Sequence, residues 1–542
     1  MSDTKYHIIL LSLTILAVFL YALIPINDFD FWWHLETGDW IIEHERLPDA
    51  DPFSYTSLKD DPEAPGRPDF VLRQYWLAQV LFSLIVRFLG LQGFIILRAV
   101  VFTLTAIFSL LLIRHYRANM VGTITLPLLA LVTTECLTDR PQMFSFLLAT
   151  MVFYLLESGI EKKQYLLFII PPLMLLWANI HAGFLVGIIF ILVYLAMIPF
   201  EERIRGVRRT LIPVAILSIA LTYLNPTHWE AIKRVFVFYR GGLLLRETLE
   251  YHSPFKIIPY TMDNPGWLSY WAIVLLTVFS AILLIRNRTW SRFIILTGTL
   301  CASLISMRFT YFFAPVAVPL ISSSLKNMTD VKVKDQGSKI HDLRLVIPKV
   351  FLLIGVSLLI FIYSRMDLPD LLKSETAYGY FPEQAAEYII SRPIPSPIFN
   401  DVNWGGYLIW KLWPNYRVFI DTRTLNVDTY RQYISVINNY TGEGRFILEA
   451  YGIKSIITPA INPYTGEIFP FVRALYRDDN WALIYLDGVA MIFVKDEYAK
   501  QRLPKSAIYE EVLYEANFWW PVFPQMPGYK KTIEEAYRIL NK

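Results

Sequence analysis

Residues 6–40 read YHIILLSLTILAVFLYALIPINDFDFWWHLETGDW, and the change of character after Pro25 decides what kind of protein this is. Tyr6 to Pro25 is apolar and long enough to cross a bilayer. Lipid offers backbone amides no partner, so a spanning segment must satisfy them internally over roughly 20 residues. The segment follows a short polar start containing Lys5 and precedes no small-residue cleavage site, the pattern of a retained signal anchor. Asp28, Asp30 and His34 come within a few residues of its end.

Outward from there the pattern repeats. Eleven stretches of about 15 to 23 mostly apolar residues alternate with short charged links, which predicts a polytopic α-helical membrane protein. The composition agrees, with 55% hydrophobic and 18% charged residues over 542 positions. A net charge of +3 gives no argument for nucleic acid. Cys136 and Cys301 lie within or beside apolar spans, so neither a disulfide framework nor a thiolate zinc cluster can be built from them.

Charge sets the expected topology. With the N-terminus in the cytoplasm, the inner links carry Arg114 and Arg117; Lys162 and Lys163; Arg203, Arg205, Arg208 and Arg209; and Arg286, Arg288 and Arg292. A last inner loop holds Lys326, Lys332, Lys334, Lys339 and Arg344. Every inner link is basic, as the positive-inside rule requires. The loop from Asn27 to Arg73 falls outside and carries twelve Asp or Glu against four Lys or Arg. This alternation holds only if Tyr75 to Leu89 is an interfacial or half-inserted helix leading into a span at about Phe94 to Ile113. A twelve-span alternative would invert every later loop.

The outer face then collects the residues that bear chemistry. Asp28 and Asp30 suit a general base, or with His34 the ligands of a divalent cation such as Mg or Mn. The plainer reading is that Asp28 caps the next helix and Trp32 and Trp33 belong to an interfacial aromatic belt. Asp139 and Arg140 end the third span, where an Arg fork can neutralise a phosphate or simply pair with its neighbour. Asn179 and His181 sit at the next outer turn, and Arg308 at the turn between the ninth and tenth spans. Arg98 falls inside an apolar stretch, where a charge costs roughly 2.5–3.5 kcal/mol and needs a partner: an anionic lipid phosphate, an inner-loop carboxylate or, more simply, the outer interface. The long outer loop from 225 to 265 contributes Glu250 and His252 beside Arg240, Arg246 and Glu247, a polar set that lines a cleft or is merely solvated.

This layout resembles the GT-C superfamily of integral-membrane glycosyltransferases, which use sugars carried on polyprenyl phosphates. The likeness covers about residues 1 to 325. WWHLETGDWI with DPFSYT, DRPQ, WANIHAGF and the Arg308 turn look like a bacterial subgroup of it. The resemblance implies an Asp of the first outer loop, Asp30 or Asp28, as catalytic base, and Arg140 and Arg308 as holders of the carrier phosphate. It further implies a lipid, glycan or protein acceptor, direct displacement with inversion, and a place in the bacterial cytoplasmic membrane. Trp32 and Trp33 are followed by His34, so the tryptophan-tryptophan-aspartate signature of oligosaccharyltransferases is absent. The competing readings are a transporter or flippase, which would show two related halves with broken helices, and a non-catalytic envelope assembly protein.

After a final span at about Leu345 to Ser364, residues 365–542 read as an extracytoplasmic α/β domain with a helical tail, following the membrane domain at 1–364. Short apolar runs such as SPIFND, YRVFID, KSIITP, WALIYL and VAMIFV predict a parallel core and a hairpin through Asp487 and Gly488. Gly405 and Gly406 suggest a tight turn, and Asp421 and Arg423 a ligand-bearing strand end or, more simply, a buried ion pair.

Overall fold

The computed structural model describes residues 3–58, 61–63, 65–228, 230, 232–233, 249–256, 264–332, 375–377, 379–438, 440–459, 469–500 and 502–503. The expected last span at 345–364, the side chains of Arg240, Arg246 and Glu247, and the aromatic tail around Phe518 lie outside these residues. In chain order the helices are α1 (Asp3–Tyr21), α2 (Phe31–His44), α3 (Arg67–Arg73), α4 (Trp76–His115), α5 (Asn119–Cys136), α6 (Gln142–Glu161) and α7 (Ile170–Ile180). Next come α8 (Phe184–Ala196), α9 (Glu202–Gly206), α10 (Arg208–Leu221), α11 (Pro265–Arg286), α12 (Trp290–Ile305) and α13 (Thr310–Lys332). They belong to two compact units, one formed by the described residues within Met1–Ile26 and Gln74–Glu375, the other by those within Asn27–Arg73 and Thr376–Lys542.

The first unit is a helical bundle. Helices α4, α5, α6 and α11 are each long and apolar enough to cross a membrane, with shorter apolar helices at Ile9–Tyr21, Gln164–Ile180, Phe184–Ala196 and Trp290–Ile305. The chain is a multi-pass membrane protein. Outward-facing Ile216, Leu275 and Ile282 on α10 and α11 are more than half exposed, as side chains bathed in lipid should be. By contrast α6 is buried along nearly its whole length and forms the axis on which α4, α7 and α8 pack.

Helix α4 breaks where the sequence requires it to. Gly90 has φ 69° and ψ −177°, a left-handed conformation that glycine alone adopts without strain, so residues 76–89 and 91–115 are separate helical segments. Phe88 and Leu89 before the break are strongly exposed, which suits an interfacial segment feeding a span.

Hydroxyls stitch the bundle where proline opens it. Pro319 in α13 has no N–H for the carbonyl of Pro315, and Ser109 Oγ of α4 donates to that carbonyl at 2.9 Å instead. Thr125 and Ser322 meet at 2.7 Å, and Thr133 meets the Tyr311 hydroxyl at 2.7 Å, tying α5 to α13. Asn264 caps α11 by accepting from Gly266 N at 2.8 Å, with Pro265 at the first helical position.

The second unit gathers the acidic segment 27–73 onto the C-terminal residues. Its further elements are α14 (Glu383–Ser391), β1 (Ile398–Asn400), α15 (Gly405–Leu412), α16 (Val427–Asn438), α17 (Arg445–Ala450), β2 (Ser455–Pro459), α18 (Pro470–Arg477), β3 (Trp481–Leu486) and β4 (Ala490–Lys495). The sheet order is β1-β2-β4-β3. Only β1 and β2 run parallel; β4 pairs antiparallel with both β2 and β3, which corrects the expectation of a parallel core. The β3–β4 hairpin turns at Asp487, whose Oδ1 accepts from Val489 N and Ala490 N at 2.7 and 2.6 Å.

The YRVFID run is not a strand of this sheet. Val418 instead bridges Ser54 in parallel, while Asn400 receives Phe419 N and donates to Ile420 O, each at 2.8 Å, in place of a ladder. Gly405 and Gly406 open α15 and do not form a tight turn. Residues 27–73, which chain order attaches to the bundle, therefore share a core with the C-terminal residues. Asp61 accepts from Val427 N at 2.9 Å at the start of α16, and Leu58 N donates to Asn426 Oδ1 at 2.8 Å.

Candidate active site

Three turns of the helical unit meet at one end: those after α5, after α7 and after α12. In the first, Arg98 of α4 is fully buried and makes an ion pair with equally buried Asp139. Its Nε donates to Ala22 O at 3.1 Å and its other amine to Ile24 O, carbonyls left open just beyond α1. The partner of Arg98 is thus a carboxylate of the bundle, and no lipid phosphate is needed to explain its burial. Arg98 and Asp139 together hold this corner of the bundle.

Arg140 and Arg308 behave differently. Arg140 Nη1 lies 3.3 Å from Glu250 Oε2, and Arg308 Nη1 lies 2.8 Å from Glu250 Oε1, so one carboxylate bridges cations from two separate turns. Arg308 also donates to the Tyr251 hydroxyl and lies over its ring at 5.1 Å. The segment bearing Glu250 is pinned by backbone contacts: Ser306 Oγ to Glu250 O at 3.0 Å and Met307 N to His252 O at 2.9 Å. All three charged side chains remain 19–30% exposed, so a ligand can reach them.

At the third turn Asn179 is fully committed. It accepts from Trp76 Nε1 at 3.0 Å and donates to Leu175 O and Leu224 O at 2.9 and 2.8 Å. These bonds tie α7 to α4 and to the residues just beyond α10. His181 accepts at Nδ1 from Ser145 Oγ at 2.8 Å and from Gly183 N at 2.9 Å. Burial, and then the charge of Arg308, push its imidazole down to about 3. Ser145 and Tyr75, whose ring lies 5.6 Å from that of His181, escaped sequence reading because nothing local distinguishes them from other span-end residues.

The opposite end of the unit is a separate network. Glu157 of α6 receives Arg203 at 3.0 Å, Arg292 Nε at 2.8 Å and Tyr116 at 2.9 Å, while His115 meets Glu161 at 2.9 Å. Among the described residues, His115, Glu157 and Glu161 are the group close enough together to hold a metal ion. Arg203 and Arg292 already supply their countercharge, so a dication would be repelled there. Asp28, Asp30 and His34 do not form such a group, so this loop does not by itself fit the divalent cation expected of it.

In the second unit Asp30 occupies the N-cap position of α2 but its side chain makes no capping bond, and Asp28 Oδ1 accepts from Asp30 N at 3.1 Å. Both carboxylates are partly exposed, whereas His34 is buried with its ring 3.5 Å from that of Trp33. Trp32 and Trp33 are buried too; Trp32 stacks on Trp410 at 4.5 Å and meets Tyr407 edge-on, so they are core residues and not an interfacial belt. Arg423 binds Asp51 in a two-pronged pair at 2.9 and 3.1 Å and Asp421 at 2.7 and 2.6 Å. Burial disfavours its charge, yet the two carboxylates hold the guanidinium above its ordinary range. The simpler reading of Asp421 and Arg423 stands, with Asp51 as an unforeseen third member.

Neither a family model nor a curated protein sequence matches the chain. Solved structures do. The archaeal oligosaccharyltransferase AglB from Archaeoglobus fulgidus, in complex with an inhibitory peptide and a dolichol-phosphate, superposes with a TM-score of 0.56 at 12% identity, over 95% of this chain and 78% of its own. ArnT from Cupriavidus metallidurans matches in the apo state with a TM-score of 0.54 at 13% identity, over 93% of this chain and 100% of its own. Bound to undecaprenyl phosphate, ArnT matches at 0.50 and 12% identity, over 92% and 100%. Both neighbours are GT-C membrane glycosyltransferases. The chain shares the fold of these structures.

Proposed function

We propose that this protein is a membrane glycosyltransferase that moves a sugar from a polyprenyl-phosphate-linked donor to an acceptor on the outer face of the cytoplasmic membrane. The observation that carries the reading is the convergence of Arg140 and Arg308 on Glu250, a ready-made pair of cations that already holds an anion. Structural neighbours bound to dolichol-phosphate and undecaprenyl phosphate make a carrier phosphate the natural ligand of that pair.

In this reading the phosphate displaces Glu250 and is clamped by the two guanidinium groups, whose planar donors match its oxygens. An acceptor hydroxyl gives its proton to a carboxylate base, the role that the sequence resemblance gives Asp30 or Asp28, as its oxygen attacks the anomeric carbon. The bond from that carbon to the carrier oxygen breaks, the arginines offset the charge growing on the departing phosphate, and the anomeric configuration inverts. No step is assigned to a metal ion. The alternating charge of the links supports an orientation with the Arg140, His181 and Arg308 turns outside and the Glu157 network inside.

Mass spectrometry of surface glycans and lipid-linked sugars, in cells with and without the gene, tests the reading. A missing sugar with accumulated carrier supports it; unchanged profiles of both exclude it.

A further inference from the structure

The turn after α7 fixes the tautomer of a histidine through neutral donors alone. An indole N–H can only donate, so the 2.7 Å contact from Trp177 Nε1 to Ser145 Oγ makes that oxygen the acceptor. The hydroxyl proton of Ser145 is left to point along the 2.8 Å contact to His181 Nδ1. The Gly183 amide donates to the same nitrogen at 2.9 Å. Two donors aimed at one ring nitrogen leave no room for a proton there, so the neutral ring carries its hydrogen on Nε2. Among the described residues that Nε2 has no hydrogen-bond partner. Gly183 is required for the arrangement, since a Cβ at this position would lie 2.3 Å from Ser145 Oγ.

We propose that His181 is a neutral Nε2–H donor to an oxygen of the carrier phosphate, with Ser145 and Trp177 as the positioning residues that lock its tautomer. The proposal rests on the glycosyltransferase reading for the identity of the anion, but not for the tautomer. Arg308 supplies the positive charge acting on His181, and burial with that charge keeps the ring neutral. The chemical sense is a division of labour. Arg140 and Arg308 bring charge, while a neutral donor adds direction without a third cation that would retain the phosphate after transfer.

The test uses the full chain, labelled with nitrogen-15 histidine and held in lipid nanodiscs. His181 is assigned by the signal lost in His181→Gln. At neutral pH the wild type is expected to show the Nε2–H tautomer, and Ser145→Ala a mixture of both tautomers. Titration with a polyprenyl monophosphate should shift the Nε2 resonance. His181→Gln, whose amide reaches the Nε2 position, should bind this lipid within about threefold of wild type, and His181→Phe about tenfold more weakly, the order of one hydrogen bond to a charged group. A proton on Nδ1, a charged ring, or equal binding by the Phe variant overturns the proposal. If the tautomer is as stated but even the wild type binds no polyprenyl phosphate, the carrier reading fails, and with it the phosphate as the partner of His181.

Discussion

Arg308 donates through Nη1 to Oε1 of Glu250 at 2.8 Å, and the second oxygen of that carboxylate faces Arg140. One carboxylate is thus gripped on both sides by arginines, and in the proposed reading it stands where the carrier phosphate would.

If Glu250 is displaced during binding, Glu250→Gln removes a competitor. Partly exposed pairs are worth at most ~1 kcal/mol, so affinity for a polyprenyl monophosphate should rise by up to about fivefold. Arg308→Ala should lower kcat/KM about a hundredfold. Scintillation proximity binding with the labelled lipid, alongside turnover, checks both. Weaker binding by Glu250→Gln would mean that the carboxylate itself serves the ligand.

Arg98 and Asp139 predict a different phenotype. Removing one member of a fully buried pair leaves the other charge uncompensated, at a cost of about 3–5 kcal/mol. Arg98→Ala should therefore lower the thermal midpoint in detergent markedly. Activity per correctly folded molecule should change far less than in Arg308→Ala.

The Asp51–Arg423–Asp421 group ties segment 27–73 to the C-terminal residues, with a sequence separation of 372 between Asp51 and Arg423. Arg423→Ala should free residues 51–58, seen as faster amide exchange there, while exchange in α4 and α6 stays at wild-type rates.

His181 adds a pH dependence. Its folded-state value of about 3 lies below the ordinary 6.5, so between these values the unfolded chain binds a proton that the folded chain does not. The contribution is whole above about pH 6.5 and is lost as pH falls toward 3. His181→Gln should flatten this part of the stability profile, measured as thermal midpoint against pH. An unchanged acid limb would mean that His181 titrates normally.

The bundle was legible because an apolar run is its own signal: lipid demands it, and no distant partner is needed to interpret it. Charge alternation calls for a helix over 75–89 distinct from the span at 94–113, and the structure has a non-helical residue, Gly90, between the two. Pairings between distant residues were not legible. Nothing in the span around Arg98 names Asp139, and nothing in DPFSYT names Arg423. The C-terminal sheet misled for a related reason. YRVFID has the composition of a strand, but its bridge is to Ser54 of the outer segment, so local propensity was satisfied outside the sheet. Arg140, Arg308 and His181 were singled out because polar residues at span ends are conspicuous, whereas Ser145, which meets His181, and Trp177, which donates to Ser145, look like ordinary span residues.

The account stands or falls on a carboxylate of the first outer segment acting as base in a sugar transfer. Cells lacking the gene, complemented with wild type or with Asp30→Asn, Asp28→Asn and the double variant, should be compared by mass spectrometry of lipid-linked sugars and surface glycans. Wild type should restore the glycan, while at least the double variant, present in the membrane at wild-type levels, leaves the loaded carrier accumulated. Full restoration by the double variant would contradict it.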